Sequence, residues 1–498
     1  MTSLIWDFLF PDARKFPNSR RANSEEIPDA GKTMGNLLIG PQGSGKSTYA
    51  SNSTVEYRKR YPERAILLID NAGSDADKTI ERIAQEPNWE ELTENIIYID
   101  AGNPEYVVPF PEFSPLYGTT YEEQIYRVST NLQNLSPELV KGAPFVAGLG
   151  LQEILPQLCR LLTSIQNEYK QTWQITEARR LLTDTKLLAK MVVEFGKFCP
   201  TARDFFLYEY FPLPQHEKEL RTYAIRSLLG ILEAPETTAG VGYFEPLWTP
   251  KEMIEKGQFV IYNAERLKNR KPLQHYHITQ VFSTFMAEIN KRRPGNPDDL
   301  PVDLWLHEVA TLFKIPSMAP DIAELAPQYR SRGLQLNMVM QNLEQLSEEL
   351  RPHIWSLGNI VCFGLKNKDE AYEMAKQLFP YDPLSVKVSG KTSTQQDLME
   401  PDRGQYLQIA DQLQTLKHRE FVMRRYLKES KQDDFIRWVP KTKDIPNKKP
   451  FIDPQELKER LLKKRAVRVS DALEAIARRI PKNEMQNKKK KGTPPKVG

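Results

Sequence analysis

Short apolar runs alternate with longer amphipathic stretches along the chain, and this alternation predicts an α/β fold. Each run ends in a polar or acidic residue, which is typical of strands that are buried on both faces. Between the runs, apolar positions repeat at intervals of three and four, which predicts helices. The predicted strands are 34–39, 65–69, 95–99, 258–262, 303–306, 335–340, 359–364 and 419–423. Strands that alternate with helices predict a mostly parallel sheet.

A long helical segment interrupts this alternation. Between 120 and 235 apolar residues recur at helical spacing, for example Leu151, Leu155, Leu158 and Leu162, which predicts an all-α insertion. After about 430 the pattern loosens into a charged extension whose end is predicted to be disordered. The predicted regions are a lead-in at 1–33, the first part of the core at 34–119, the insertion at 120–235, the second part of the core at 236–430 and a basic C-terminal extension at 431–498.

Composition is that of an ordinary globular protein, but the charge is uneven. The net charge of the 498 residues is +4, whereas residues 451–498 carry 14 Lys/Arg and 6 Asp/Glu, which makes that stretch +8 and the rest −4. A basic tail predicts an anionic partner, and Lys488–Lys491 could contact DNA or simply be solvated. The three cysteines form no CxxC pair, which favours a reducing, cytoplasmic location. The sequence contains no run of about 18 apolar residues, so no transmembrane segment is predicted.

The most specific motif follows the first predicted strand. Residues Gly40–Ser47 match G-x-x-x-x-G-K-[ST], a loop whose backbone amides and following helix hold phosphate oxygens. Lys46 is predicted to reach the β- and γ-phosphates of ATP, and the Ser47 hydroxyl to hold Mg²⁺. The alternative is an ordinary glycine-rich turn, which the strand before the motif and the helix after it disfavour. The predicted nucleotide ligands are Gly40, Gly43, Ser44, Gly45, Lys46, Ser47 and Thr48.

A catalytic acid is predicted where strand 303–306 ends. Glu308 is placed to polarise the attacking water as a general base. The position before it normally holds an aspartate for Mg²⁺, but here it is His307, so weaker ATP turnover is expected; the alternative is that His307 has no role. Asp70 ends the second strand and could either lend the missing carboxylate or cap the next turn. The predicted metal residues are Ser47, Asp70 and His307.

Two further residues flank strand 335–340. Gln341 follows it, where an amide can sense the γ-phosphate or orient water; the alternative is a solvated loop residue. Arg330 and Arg332 precede it, and in a ring such an arginine can reach the neighbour's nucleotide and stabilise charge in the transition state. The alternative is that both arginines are solvated surface residues.

Taken in order, these motifs resemble those of HerA/FtsK-type ATPases, specifically the conjugative coupling proteins of type IV secretion (the TraG/TraD group). The resemblance covers about residues 34–427. It rests on the loop Gly40–Ser47 and on five further segments, which are Ile69–Gly73, Asn95–Asp100 with Phe113–Leu116, Ala178–Asp184, residues 330–346 and Ile354–Asn359 with Asp369–Ala371.

The resemblance implies a RecA-like P-loop motor core with an inserted all-α domain, a hexameric ring and DNA in its channel. ATP and Mg²⁺ would be the cofactors, with a relaxase and a membrane channel component as partners at the inner face of the cell membrane. By position, Glu308 would be the Walker-B glutamate, Gln341 the sensor and Arg330 an arginine that acts in trans. The implied function is ATP-driven DNA translocation.

Three departures from the family pattern leave alternatives open. His307 replaces the Walker-B aspartate, Asn71 and Ala72 replace the Pro-His of the second-strand motif, and no transmembrane hairpin precedes the motor. The last point predicts a soluble relative or one recruited by a separate membrane partner. A catalytically weak nucleotide-binding ring that serves as a scaffold for a partner protein is the main alternative. A small-molecule kinase is disfavoured by the large helical insertion.

Overall fold

The computed structural model describes most of the predicted core and insertion. The described residues are 20–21, 35–134, 145–166, 172–315, 318–319, 322, 329–348, 350–379, 402–426, 433–439 and 449–479. Apart from Arg20–Arg21, the predicted lead-in at 1–33 lies outside them. The lysine run Lys488–Lys491 lies outside them as well.

The apolar runs form strands of one mixed sheet. The strands are β1 (Arg20–Arg21), β2 (Asn36–Ile39), β3 (Ala65–Asp70), β4 (Ile96–Asp100), β5 (Tyr106–Val107), β6 (Phe259–Asn263), β7 (Val302–His307), β8 (Leu334–Met340), β9 (Asn359–Phe363), β10 (Phe421–Tyr426), β11 (Asp433–Val439) and β12 (Val467–Arg468). Among the described residues the sheet has ten strands in the order β1-β11-β10-β9-β2-β8-β7-β3-β6-β4, and β12 pairs separately with β5.

The middle of the sheet is parallel, as predicted. Strands β9, β2, β8, β7, β3 and β6 pair in parallel, whereas β10 runs antiparallel to both β9 and β11. All residues of the strands from β2 to β4 and from β6 to β9 are buried. This burial explains why these strands are near-continuous apolar runs rather than alternating ones. The α/β fold class is therefore confirmed.

Helices connect the strands and fill the predicted insertion. Their bounds are α1 (Lys46–Arg60), α2 (Ser74–Ala84), α3 (Trp89–Thr93), α4 (Tyr121–Asn134), α5 (Phe145–Ser164), α6 (Ile175–Thr183), α7 (Thr185–Phe195), α8 (Pro200–Asp204), α9 (Gln215–Ile231), α10 (Pro235–Gly242), α11 (Pro250–Glu255), α12 (Lys271–Asn290), α13 (Val309–Leu312), α14 (Arg351–Trp355), α15 (Lys368–Leu378), α16 (Asp402–Gln414), α17 (Pro454–Lys464) and α18 (Val469–Arg479). The pattern at 178–198 suits one helix, but Asp184 ends α6 and caps α7 by accepting the Leu187 N–H at 3.0 Å,.

The described chain divides into two compact units. The first contains the residues up to Ile99, Pro250–Asn269 and His277–Leu461, and it includes the large sheet. The second contains Asp100–Thr249, Arg270–Tyr276 and the residues from Leu462. The predicted insertion at 120–235 lies inside the second unit, which is wider than that prediction and also takes in α18.

Three buried asparagines fix the register of the central strands. Asn36 on β2 faces Asn337 on β8 and Asn359 on β9. The Asn36 amide donates to the Asn337 oxygen at 2.6 Å, and the Asn359 amide donates to the Asn36 oxygen at 2.8 Å. All three side chains are at most 4% exposed. Because a shift of register would leave these amides unpaired in an apolar interior, the row specifies which residues stand side by side at the ends of the strands.

The Asn337→Ala variant tests this row. We expect it to leave the Asn36 amide without its acceptor and to cost about 1–3 kcal/mol of stability, seen as a fall of several degrees in the midpoint of thermal unfolding. The matched control is Asn95→Ala, at an exposed position before β4, which should leave the midpoint unchanged. Equal midpoints for the two variants would contradict a role for the row in stability.

Candidate nucleotide site

The register of the parallel strands brings the ends of β2, β8, β7 and β3 to one edge of the sheet. Ile39 on β2 pairs with Met340 on β8, and the Gly40 N–H donates to the Met340 carbonyl at 3.4 Å. On the neighbouring pair, Asp70 lies beside His307. The phosphate-binding motif, Gln341, Asp70 and the His307–Glu308 pair therefore converge at this edge, although they are far apart in sequence.

The motif forms a tight loop that only glycine permits at its end. Gly45 has φ 109°, and a Cβ there would stand 2.9 Å from Cγ of Arg419 and 3.2 Å from its Cα. The loop is closed by a bond from the Ser44 N–H to the Pro41 carbonyl at 3.2 Å, and α1 begins directly after Gly45. A side chain at Gly45 would strain the backbone and collide with Arg419. Glycine therefore allows the loop to turn tightly into the helix, whose N-terminus lies beside the loop amides.

Lys46 is buried at the start of α1 and bonds to the loop. Its side chain is 6% exposed, and its Nζ donates to the carbonyls of Gly40 and Pro41, the latter at 2.9 Å. Burial lowers the pKa of the ammonium, while the charges of Glu308 and Asp75 oppose that shift, because burial penalises the charged form and a nearby anion favours it. The structure thus brings Lys46 under the influence of the two carboxylates. Thr48 lies buried within the first turn of α1.

Glu308 follows β7 in a conformation unusual for its residue type. Its φ of 52° and ψ of 45° are left-handed, and it caps the short helix α13. The Gln341 amide donates to its Oε1 at 2.7 Å. Such a backbone conformation costs about 1–3 kcal/mol and is found where function requires a particular placement. The Gln341 amide therefore contacts the Glu308 carboxylate, and the charge of that carboxylate acts on Lys46.

His307 makes a buried pair with an acid that was not among the predicted site residues. Its ring is 1% exposed, and Nδ1 lies 2.5 Å from Oδ2 of Asp75, a residue in the first turn of α2. Burial opposes ionisation of Asp75, but the charge of His307 and hydrogen bonds to His307 and Ser47 outweigh it, lowering the pKa of Asp75 to about 2. Burial likewise opposes protonation of His307, but the attraction of Asp75 raises the histidine pKa. Both shifts have the same cause, which is the close contact of the imidazole with the carboxylate.

Both carboxylate oxygens of Asp70 accept hydrogen bonds from the backbone that follows it. One carboxylate oxygen accepts the N–H groups of Ala72 and Gly73, both at 2.9 Å, and the other accepts those of Asp75 at 2.9 Å and Ala76 at 2.8 Å. The bonds from Asp75 and Ala76 satisfy two orphan donors in the first turn of α2, and the bonds from Ala72 and Gly73 hold the turn before it,. The geometry thus favours the capping alternative for Asp70 over the role of metal ligand, which stays a prediction without a contact to support it.

Arg330 lies away from Lys46, Glu308 and Gln341. It begins the short turn Arg330–Arg332 before β8 and is exposed, whereas Gln341 follows the other end of that strand. Seven strand residues span roughly 23 Å, so Arg330 cannot act on the nucleotide of its own chain. A role in trans stays a prediction.

Two residues near the loop carry no signal in the sequence. Arg419 has φ 70° and its N–H donates to the Ser44 carbonyl at 2.9 Å, which fixes the loop before β10 against the phosphate-binding loop. Asp75 is a common helix-start residue and stands 232 positions from His307. A non-glycine left-handed residue and a long-range ion pair both depend on the tertiary fold, so neither is visible in motif spacing.

The described residues also set limits on other kinds of site. None of the described helices is long and apolar enough to cross a membrane. Within the same residues, no cluster of three or more His, Cys, Asp or Glu could hold a metal ion by itself.

Comparison with known proteins identifies the fold. No model of a protein family matches the sequence, and no curated protein matches it. The bacterial conjugative coupling protein TrwB in an unbound monoclinic form superposes with a TM-score of 0.53 at 14% identity, over 87% of this chain and 93% of that one. A trigonal form with sulphate gives 0.55 at 14% identity, over 88% and 94%. TrwB with ADP and Mg²⁺ gives 0.53 at 14% identity, again over 88% and 94%.

These similarities extend over nearly the whole of both chains. The chain therefore has the architecture that the resemblance in its sequence implies. The chain has the RecA-like α/β fold of the bacterial conjugative coupling protein TrwB.

Proposed function

We propose that this protein is an ATP-hydrolysing ring motor that translocates DNA in conjugative or related mobile-element transfer. The observation that carries the proposal is the strand register that brings the Glu308–Gln341 hydrogen bond to the same edge of the sheet as Lys46 and a complete phosphate-binding loop. Supporting it, the fold is similar to that of a coupling protein solved with ADP and Mg²⁺ and with non-hydrolysable ATP and GTP analogues.

Polar groups around the phosphate-binding loop suit the binding of a magnesium nucleotide. The Ser44 hydroxyl oxygen, Oδ1 of Asp75 and Nε2 of His307 are buried and have no hydrogen-bond partner within the described part of the chain. Buried polar atoms of this kind normally find a partner in a ligand, ion or water. Mg²⁺ bound with a nucleotide needs only one or two carboxylates because phosphates and water complete its shell. That no cluster of acids, histidines or cysteines in the described part of the chain could hold a metal by itself is therefore compatible with this cofactor.

Each side chain has a distinct task in the proposed reaction. The loop amides and Lys46 would hold the β- and γ-phosphates, and Ser47, at the start of α1, would hold the metal through its hydroxyl. When bound, Mg²⁺ supplies positive charge against the phosphates. Glu308 accepts a proton from the attacking water, and Gln341, which donates to Glu308, holds that carboxylate in place and senses the γ-phosphate.

Assembly and partners complete the proposal. A hexamer would bring the exposed Arg330 of one chain to the nucleotide of its neighbour, where a guanidinium offsets developing charge. DNA in the channel, a relaxase and a membrane channel component are the partners we propose, with the protein in the cytoplasm at the inner face of the cell membrane. The basic extension at 431–498 supplies positive charge for an anionic partner. The alternative of a catalytically weak scaffold is favoured by one observation, His307 in place of a strand-end aspartate.

Removal of the Lys46 ammonium tests the nucleotide site. In the Lys46→Ala variant we expect kcat for ATP to fall about 10²–10³-fold, because a preorganised donor to the transferring phosphoryl group is lost. Phosphate release is the measurement. Lys59→Ala is the matched control, since this partly exposed lysine lies at the other end of the same helix, where it pairs with Glu86 at 3.0 Å, and it should leave kcat unchanged. A rate for Lys46→Ala equal to that of the control would remove the loop from the mechanism.

Neutralisation of Glu308 tests the base. Glu308→Gln keeps an oxygen that can accept the Gln341 amide but loses the proton acceptor, so ATP should bind with ordinary affinity while turnover falls about 10²–10⁴-fold. Nucleotide affinity and phosphate release are measured together, and Glu348→Gln, at an exposed position, serves as the control. Normal hydrolysis in Glu308→Gln would place the base elsewhere.

An assay with DNA separates motor from scaffold. We expect single- or double-stranded DNA to raise ATP turnover, and the mass of the assembly with ATP to equal six chains. The Lys46→Ala variant should show no stimulation by DNA. A ring without turnover would favour the scaffold, whereas an active monomer indifferent to DNA would contradict both and favour a small-molecule kinase.

A further inference from the structure

We infer that Asp75 supplies the carboxylate for Mg²⁺ that the strand-end position lacks, and that His307 is the residue that positions it. The inference deepens the proposed function and rests on it. Mg²⁺ in P-loop enzymes is held by the loop hydroxyl together with an acid from the end of a neighbouring strand. Here the strand contributes an imidazole, and the acid comes from helix α2.

The placement of Asp75 follows from the elements around it. Asp70 accepts the Asp75 N–H and so anchors the first turn of α2 against the end of β3. His307 stands beside Asp70 on β7, and its ring is stacked on Trp305 with centroids 6.0 Å apart. From this fixed position Nδ1 bonds the Asp75 carboxylate at 2.5 Å. Since an ionised carboxylate only accepts hydrogen bonds, Nδ1 carries the proton, and this second interaction orients the acid.

The carboxylate also faces the metal-binding end of the phosphate loop. The Ser47 hydroxyl is one of the groups that hold the pKa of Asp75 low, and in the proposed site this hydroxyl and the carboxylate would both serve Mg²⁺. The other oxygen, Oδ1, has no hydrogen-bond partner among the described residues although Asp75 is only 5% exposed. Lys46 and Lys78 both act on this carboxylate electrostatically. A buried acceptor left open beside the loop serine is what a cation would use.

The other acids at this edge have different partners. Asp70 spends both oxygens on four backbone N–H groups. Glu308 accepts the Gln341 amide and follows the strand as the base. Asp75 is thus the acid whose open oxygen and loop contact suit the metal. A histidine at the strand end then has a purpose, because an aspartate there would set two carboxylates against each other in a buried place.

The Asp75→Asn variant tests this assignment by metal binding rather than by turnover. We expect Mn²⁺ affinity of the complex with ADP, followed by electron paramagnetic resonance, to fall about 10–100-fold. Binding of a fluorescent ADP analogue in EDTA should stay within about twofold of the wild type, because the loop amides and Lys46 are untouched. Asp77→Asn is the matched control on the same helix, since Asp77 accepts from Lys458 at 2.7 Å, and it should change neither value.

Exchange of the two groups provides the positive test. His307→Asp alone puts like charges side by side and should bind Mn²⁺ no better than the wild type. The combined variant Asp75→Asn with His307→Asp returns the charge to the strand end and lets the new amide donate to the new carboxylate, so it should regain most of the lost affinity. For positioning, His307→Asn keeps a donor near the site of Nδ1 and should retain Mn²⁺ affinity that His307→Ala loses.

The outcomes separate the inference from the proposed function. Failure of the wild-type chain to bind the ADP analogue would overturn both. Unchanged Mn²⁺ affinity in Asp75→Asn would overturn the inference alone. An equal loss of affinity for the ADP analogue in EDTA would also overturn it, because it would show that Asp75 has a purely structural role. Circular dichroism checks folding. If Asp75→Asn does not fold, Asp75→Ser, whose hydroxyl can accept the His307 N–H, carries the same expectations and the same contradictions.

Discussion

Everything at the candidate site depends on the parallel register of β2, β8, β7 and β3. Four strands drawn from distant parts of the chain end at the same level, because Ile39 stands beside Met340 and Asp70 stands beside His307. The buried asparagine row holds β2 in register with β8 and β9. A slip of one residue would turn every strand-end side chain to the opposite face. The site therefore follows from strand pairing, and its loops elaborate a geometry that the sheet has already set.

The same register explains how a histidine can occupy a place that normally needs an acid. A site for a magnesium nucleotide needs a carboxylate close to the metal. That carboxylate can come from any element that ends at this edge of the sheet, not only from one particular strand. Helix α2 begins directly after β3, and its first turn carries Asp75 to within 2.5 Å of His307. The hydrogen bond from Nδ1 of His307 holds the buried carboxylate, which is less costly than a buried charge without a partner,. In this view the departure from the family pattern relocates the charge and does not remove it.

The sequence predicted the central strands well because burial on both faces makes them continuous apolar runs, and the phosphate loop because its spacing is fixed by chemistry. It missed β11, which lies in a stretch rich in charges, and α18, although the buried Val469, Ala472 and Ile476 recur there at helical spacing. The capping alternative for Asp70 was foreseen, but the contact of Asp75 with His307 was not, since a pair separated by 232 residues leaves no local trace. Arg419 was missed for the same reason, as its left-handed backbone is imposed by the loop it contacts.

The most direct test is a structure of the chain with a non-hydrolysable ATP analogue and Mg²⁺. We expect the triphosphate along the loop amides with its terminal phosphate between the Lys46 ammonium and the Glu308 carboxylate, and the metal against the Ser47 hydroxyl. A nucleotide bound elsewhere, or a terminal phosphate beyond the reach of both Lys46 and Glu308, would contradict the central claim that this edge of the sheet is a nucleotide-hydrolysing site.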